Sequence, residues 1–181
     1  EWMNGVYIRN MSEDQLMIEL LPFMERSETE GGLPDSVARP IDRDYFKRLL
    51  PLVHERLKLL TEGTETLDFF FADNVNPAAE DLPGRKMDAE MTGRALAAAL
   101  ELCKTISPFE PEHLETEYRA LAEKIEMKPG QLFSPIRVAT TGKSFAPPLF
   151  DTMAAIGQDR CIARIENAIG ILGSAAPASA D

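Results

Sequence analysis

Cysteine is nearly absent from this sequence. Cys103 and Cys161 are the only two in 181 residues. Two isolated cysteines cannot make the disulfide framework of a small secreted domain, and they suit a reducing cytoplasm as small buried apolar side chains. Histidine is equally scarce. His54 and His113 lie far apart, in neither an HExxH nor a CxxC context, so no metal site is readable. No apolar run approaches the roughly 20 residues that span a bilayer, so no membrane partner is expected. The amino end, Glu1-Trp2-Met3-Asn4, has no basic segment followed by an apolar one, and no secretory leader is expected. It lacks an initiating Met and reads as mid-domain sequence from a longer polypeptide.

Catalytic signatures are missing as well. The sequence holds no glycine-rich phosphate loop, no GxSxG elbow and no Cys/His pairing at ligand spacing. Acid pairs such as Asp42/Asp44 and Glu110/Glu112 are plentiful, but solvated helix starts account for them. No catalytic residue can therefore be named, and a small hydrolase in its own right is disfavoured.

Net positive charge is also lacking. With 19 Lys and Arg against 30 Asp and Glu, the chain carries -11, whereas non-specific nucleic-acid binders present a basic face. The acid is unevenly spread, however. From Arg119 to Arg164 there are seven basic residues against Glu123, Glu126, Asp151 and Asp159, a net +3, which leaves -14 for the rest. An acidic body with a basic carboxy-terminal patch is compatible with focused RNA contact rather than general adhesion.

What the sequence does have is helical signal. Ser12 and Gln15 make a capping box ahead of Leu16, Ile18, Leu20, Leu21 and Phe23. A second helix is expected over about 42–61, from the threes and fours of Tyr45, Phe46, Leu49, Leu52, Val53, Leu57 and Leu60, with Pro51 a kink or junction. Phe69-Phe70-Phe71 reads as core. Residues 73–86, with Pro77, Pro83 and Gly84, read as a loop, and 88–105 as a helix of strong helix formers. Ser107-Pro108-Phe109-Glu110-Pro111 is the best domain boundary. Four shorter helices follow over about 112–127, 130–140, 148–156 and 158–172. There is no period-two alternation and no internal repeat. The expected fold is all-α, with a first helical lobe over 1–107, a second over 108–172 and a disordered tail over 173–181. These residues alone leave open a free-standing helical adaptor that binds protein.

Three segments carry a resemblance. Glu1-Trp2-Met3-Asn4-Gly5-Val6-Tyr7-Ile8-Arg9 is similar to the Trp-x-Asn-Gly-x-Tyr-Ile segment that opens the anticodon-binding half of glutamyl-tRNA synthetases. Lys128 to Phe150, KPGQLFSPIRVATTGKSFAPPLF, resembles that family's Gly-Gln, Pro-x-Arg-x-Ala, Thr-Gly and Pro-x-Leu-Phe series. Gly157-Gln158-Asp159-Arg160 leading to Arg164-Ile165 is similar to its final helix. The three stand in the family's order and span nearly the whole chain. The family's catalytic HIGH-like and KMSKS-like motifs are absent, so the adenylate-forming half is expected upstream of Glu1.

The resemblance implies two helical bundles in tandem, the second an α-helix cage. It implies docking of tRNA(Glu) through its anticodon loop by a cytoplasmic, monomeric aminoacyl-tRNA synthetase. The parent would use ATP, magnesium and glutamate through its upstream catalytic domain; this part would hold no cofactor. Residue by residue, it implies anticodon contact by Arg137 of the Pro-x-Arg-x-Ala motif, by Arg119 one helix earlier, and by Leu149, against which a base would pack; a surface arginine near a helix end is the alternative for Arg137 and a core leucine the alternative for Leu149. Ala146 is implied at an anticodon-binding position where some relatives carry a hydroxyl, whose hydrogen bond would be missing here. Arg56, in LVHERLKLL, falls at a position implied to face the third anticodon base; pairing with Glu55 or Glu62 is its bland alternative. Lys143, Arg160 and Arg164 are candidates for phosphate contact or, alternatively, helix-end cations. Trp2, Tyr7 and Phe133 read as packing residues.

Overall fold

The computed structural model describes residues 2–175, with side chains over 4–174. Among the described residues there are nine α-helices and three short 3-10 turns, and no strand. The all-α expectation holds. Among the described residues no helix is long and apolar enough to cross a membrane. The chain forms two compact units, 1–73 and 74–181.

The first unit holds α1 (Trp2–Arg9), α2 (Glu13–Met24), α3 (Arg43–Val53) and α4 (Gly63–Phe71). The predicted capping box starts α2: Ser12 Oγ accepts the Gln15 N–H at 3.2 Å, and Gln15 Oε1 accepts the Ser12 N–H at 3.1 Å. Leu16, Leu20 and Met24, four apart, form its buried stripe. Asp42 caps α3 by accepting the N–H groups of Asp44 and Tyr45. Phe46, Leu49, Leu50 and Val53 are buried, and α2 packs on both α3 and α4. The aromatic run is core, as expected. Phe69 and Phe70 are buried, and Phe71 makes an edge contact with Tyr45 at 5.6 Å.

The second helix is shorter than its periodicity predicts. α3 ends at Val53, two residues after Pro51, and 54–56 form a turn. Leu57 is buried although it is not helical. Apolar residues at helical spacing continue past the end of the helix, which is why the pattern overran it.

The second unit holds α5 (Ala89–Thr105), α6 (Pro111–Lys124), α7 (Pro129–Thr141), α8 (Leu149–Ile156) and α9 (Gln158–Ala175). α5 packs against α7 and α9, and α6 against α7 and α8. Tyr118 of α6 is buried and donates its hydroxyl to the Ala99 carbonyl of α5 at 3.2 Å. The connection from α6 to α7 closes a Schellman turn. Glu126 takes the left-handed conformation, at φ 59°, and Met127 N–H bonds to Ala122 O at 2.9 Å.

This packing moves the boundary. The Ser107–Pro111 stretch ends α5 but does not divide the chain, because α5 belongs to the second core. Gln158 Nε2 donates to the carbonyls of Cys103 and Ile106, at 2.8 and 3.1 Å, tying the start of α9 to the end of α5. Asn167 of α9 donates to the Val75 carbonyl at 3.0 Å and brings the preceding segment into the same unit. The units therefore meet in sequence at Asp73/Asn74, not at residue 107. Of the expected tail, 173–175 belong to α9 and 176–181 lie outside the described residues.

Candidate nucleic-acid interface

The end of α7, the loop over 142–148 and the start of α8 form one built feature of the second unit. Gly142 terminates α7 in the left-handed region, at φ 73°, where any other L-residue would be strained by about 1–2 kcal/mol. The loop is then fixed at both ends. Upstream, Thr141 Oγ1 accepts the Lys143 N–H at 3.1 Å. Downstream, Arg137 reaches over from α7 and its Nη1 donates to the carbonyls of Ala146, at 3.2 Å, and Pro147, at 2.8 Å. Pro148 then occupies the position just before α8. The half-buried Arg137 is thus the side chain that holds the loop, a role its place in Pro-x-Arg-x-Ala did not reveal.

Arg119 lies nearby on α6. Its Nε and Nη2 donate to Glu115 Oε1 at 2.9 and 2.7 Å, and its guanidinium stands 5.7 Å from the centre of the Phe133 ring. Phe133 precedes Arg137 by one helical turn and meets Phe150 edge-on at 5.0 Å, so Arg119, Phe133 and Arg137 belong to one patch. An exposed intrahelical pair such as Arg119–Glu115 is worth only about 0.3–0.5 kcal/mol, and a phosphate can replace its acid.

Two of the expected contacts have little surface to offer. Ala146 is 9 % exposed and Leu149 is 5 % exposed. Leu149 opens α8 with its side chain in the core, so a base could reach only its edge. The apolar side chain that this loop does present is Phe145, at 83 % exposure. It was missed, though a signal was there: an aromatic between Gly142-Lys143-Ser144 and Pro147-Pro148 has no helix to bury it.

The basic patch is also smaller than its sequence count. Arg164 is 0 % exposed, the largest fully buried side chain among the described residues, and its Nη1 donates to the Thr140 carbonyl at 2.6 Å. It cannot contact phosphate from that position. Its place in the pattern explains why: Cys161, Arg164, Ile165, Ala168 and Leu172 are all buried on one face of α9. Half-buried Arg160 donates its Nε to Ile156 O at 2.9 Å and closes the end of α8. Half-buried Lys143 belongs to the loop itself.

Arg56 belongs to the first unit and is not part of this loop. It is exposed, in the turn after α3, where its N–H bonds to Val53 O at 2.8 Å. Glu62 is occupied otherwise, accepting the N–H groups of Lys58 and Leu59 at 3.1 and 3.2 Å. Among the described residues no ion pair to Arg56 is found.

The two cysteines are buried and free. Burial pushes the Cys103 thiol up to about 11 and that of Cys161 higher still, so both are inert neutral groups at ordinary pH. Among the described residues no group of His, Cys, Asp and Glu is placed to hold a metal ion.

The family described as "Anticodon binding domain" matches residues 15–169. The glutamate–tRNA ligase of Roseiflexus castenholzii is 45% identical over 173 residues, covering 96% of this chain and 33% of the relative. That of Chloroflexus aurantiacus is 45% identical over 175 residues, covering 94% of this chain and 34% of the relative. The chain therefore spans about a third of the length of these relatives. Among solved structures, a glutamate tRNA ligase from Elizabethkingia meningosepticum shares the fold, with a TM-score of 0.73 at 21% identity over 94% of this chain and 32% of that one. The chain belongs to the anticodon-binding domain family and corresponds to the C-terminal part of glutamate–tRNA ligases.

Proposed function

We propose that the chain docks the anticodon loop of tRNA(Glu), so that an upstream catalytic region of the same polypeptide can charge the distant acceptor end. One observation carries this: the loop over 142–148 is prefixed by Arg137 and Gly142 and offers an aromatic ring beside basic groups. Single-stranded RNA is recognised by such means, through stacking on rings and guanidinium planes and through phosphate contacts. Arg119 and Arg137 are the basic residues assigned to the loop, with Lys143 and Arg160 for phosphates. Ala146 and Leu149 support the loop from beneath. ATP, magnesium and glutamate belong to the upstream catalytic half. The same reading makes the protein a cytoplasmic monomer.

The test is filter binding of tRNA(Glu) to the chain at two salt concentrations, with a tRNA of unrelated anticodon as reference. Preferential, salt-sensitive binding of tRNA(Glu) is expected, since each neutralised phosphate adds to the salt slope. Equal retention of both RNAs would refute anticodon reading and leave the acidic helical protein as a protein-binding adaptor. Pyrophosphate exchange with glutamate and ATP should be absent from the chain alone.

A further inference from the structure

Three large hydrophobic side chains are exposed among the described residues: Tyr7, Ile18 and Phe145. Phe145 is the one in the second unit. A phenylalanine 83 % exposed in a mobile loop would be unremarkable. This loop is pinned. Lys143 is tied back to Thr141, and the carbonyls of Ala146 and Pro147, directly after Phe145, are both held by Arg137. The buried Ala146 and Leu149 anchor the downstream side. The ring is held out in solvent between two fixed points, and ordering it for a ligand costs only two side-chain torsions.

From this geometry we infer that Phe145 is a stacking platform for one unpaired base of the anticodon loop. The inference rests on the proposed function and goes beyond it, moving the apolar contact from buried Leu149 to exposed Phe145. The chemistry fits the position. A base splayed from an RNA loop exposes its π-face, and an aromatic ring accepts it whatever its edge carries. Lys143 lies two residues away, and Arg137 holds the carbonyls that directly follow Phe145, so basic groups flank the ring along the chain. Phe145 would therefore supply affinity and register, while base identity is read elsewhere.

The test is binding of an anticodon stem-loop hairpin of tRNA(Glu) sequence to the full 181-residue chain, followed by fluorescence anisotropy. Phe145→Ala should weaken binding by about 5- to 150-fold, the range for one base–aromatic stack. Phe145→Trp should hold affinity near wild type. The thermal melt of Phe145→Ala should match wild type, because the ring is exposed. Hairpins with one loop base removed at a time then locate the stack: at one position the abasic hairpin should weaken wild type but not Phe145→Ala. If wild type binds the hairpin and Phe145→Ala binds it equally well, the stack is refuted and the proposed function stands. If the losses from Phe145→Ala and each abasic site simply add at every position, no base stacks on this ring. If wild type does not bind the hairpin, the proposed function and the stack fall together.

Discussion

The Nη1 of Arg137 lies 2.8 Å from the main-chain oxygen of Pro147, ten residues further along the chain. The guanidinium of α7 therefore decides the conformation of the loop that follows it. A side chain that holds its own loop acts on RNA binding even where it does not touch the RNA.

Arg137→Ala should accordingly lose both stability and affinity. Hydrogen bonds from a charged donor contribute about 1.5–3 kcal/mol each at most, and partial exposure of Arg137 puts the loss towards the lower end. Affinity for tRNA(Glu) should fall by about tenfold or more, since loop order and charge are both lost. Lys47→Gln removes a cation of the first unit that pairs with Asp14 and should leave binding near wild type. Equal losses from the two variants, measured by filter binding, would show that Arg137 has no special part in the interface.

Arg164 tests the opposite case, a cation that is structural. Arg164→Ala opens a cavity in the α7–α9 packing and frees the Thr140 carbonyl, and should cost about 3–5 kcal/mol or prevent folding. Arg164→Met refills most of the volume with an apolar chain and should be clearly less harmful. The salt dependence of tRNA binding by Arg164→Met should equal that of wild type. A shallower slope would return Arg164 to the phosphate contacts.

These two arginines mark how far the sequence could be read. Helix starts were legible where short-range chemistry sets them, as at Ser12/Gln15, and so were the helices expected over about 88–105, 130–140 and 148–156, which the structure places at Ala89–Thr105, Pro129–Thr141 and Leu149–Ile156. The end of α3 was not, because Leu57 keeps helical spacing while packing from a turn. Nor was the division at Asp73/Asn74: Pro108 and Pro111 announce a helix stop, but only the packing of α5 on α7 and α9 tells which core it serves. At the site, family motifs located Arg137 and Leu149, but side-chain direction is a tertiary property. It put Leu149 under the loop, Phe145 above it and Arg164 inside, against the usual preference of arginine for the surface.

The buried thiols give a pH dependence whose sign is fixed. The Cys103 thiol rises from an ordinary 9.0 to about 11 through burial, and Cys161 shifts the same way. Below the unfolded value, both states hold the proton and the full stability is present. As pH rises from 9 towards 11, the unfolded chain gives up thiol protons that the folded chain keeps, so stability falls. The loss at Cys103 is on the order of 2 kcal/mol. Urea midpoints at pH 8 and pH 10.5 should show the fall, and Cys103→Ala should show a smaller one. A midpoint that rises over this interval would contradict the burial of both groups.

Arg56 carries the prediction about specificity. It is exposed on a turn held from both sides, by the end of α3 and by buried Leu57, and Glu62 is committed to backbone N–H groups rather than to it. Its guanidinium has donors only. The third anticodon base is cytosine for glutamate and guanine for glutamine. Cytosine offers adjacent oxygen and ring-nitrogen acceptors, which a guanidinium fork can satisfy. Guanine presents two N–H donors on the same edge, so donor would face donor. A desolvated donor left unpaired costs about 1–3 kcal/mol, which is about a 5- to 150-fold preference for tRNA(Glu) over tRNA(Gln). Glutamine at this position has both a donor and an acceptor and would accommodate either base. Arg56→Gln should therefore bind the two tRNAs alike, mainly by gaining affinity for tRNA(Gln), with no change in thermal melt because the side chain is exposed. Equal affinity of the wild-type chain for both tRNAs would end the discriminating reading. A preference that survives the substitution would transfer the discrimination to another residue.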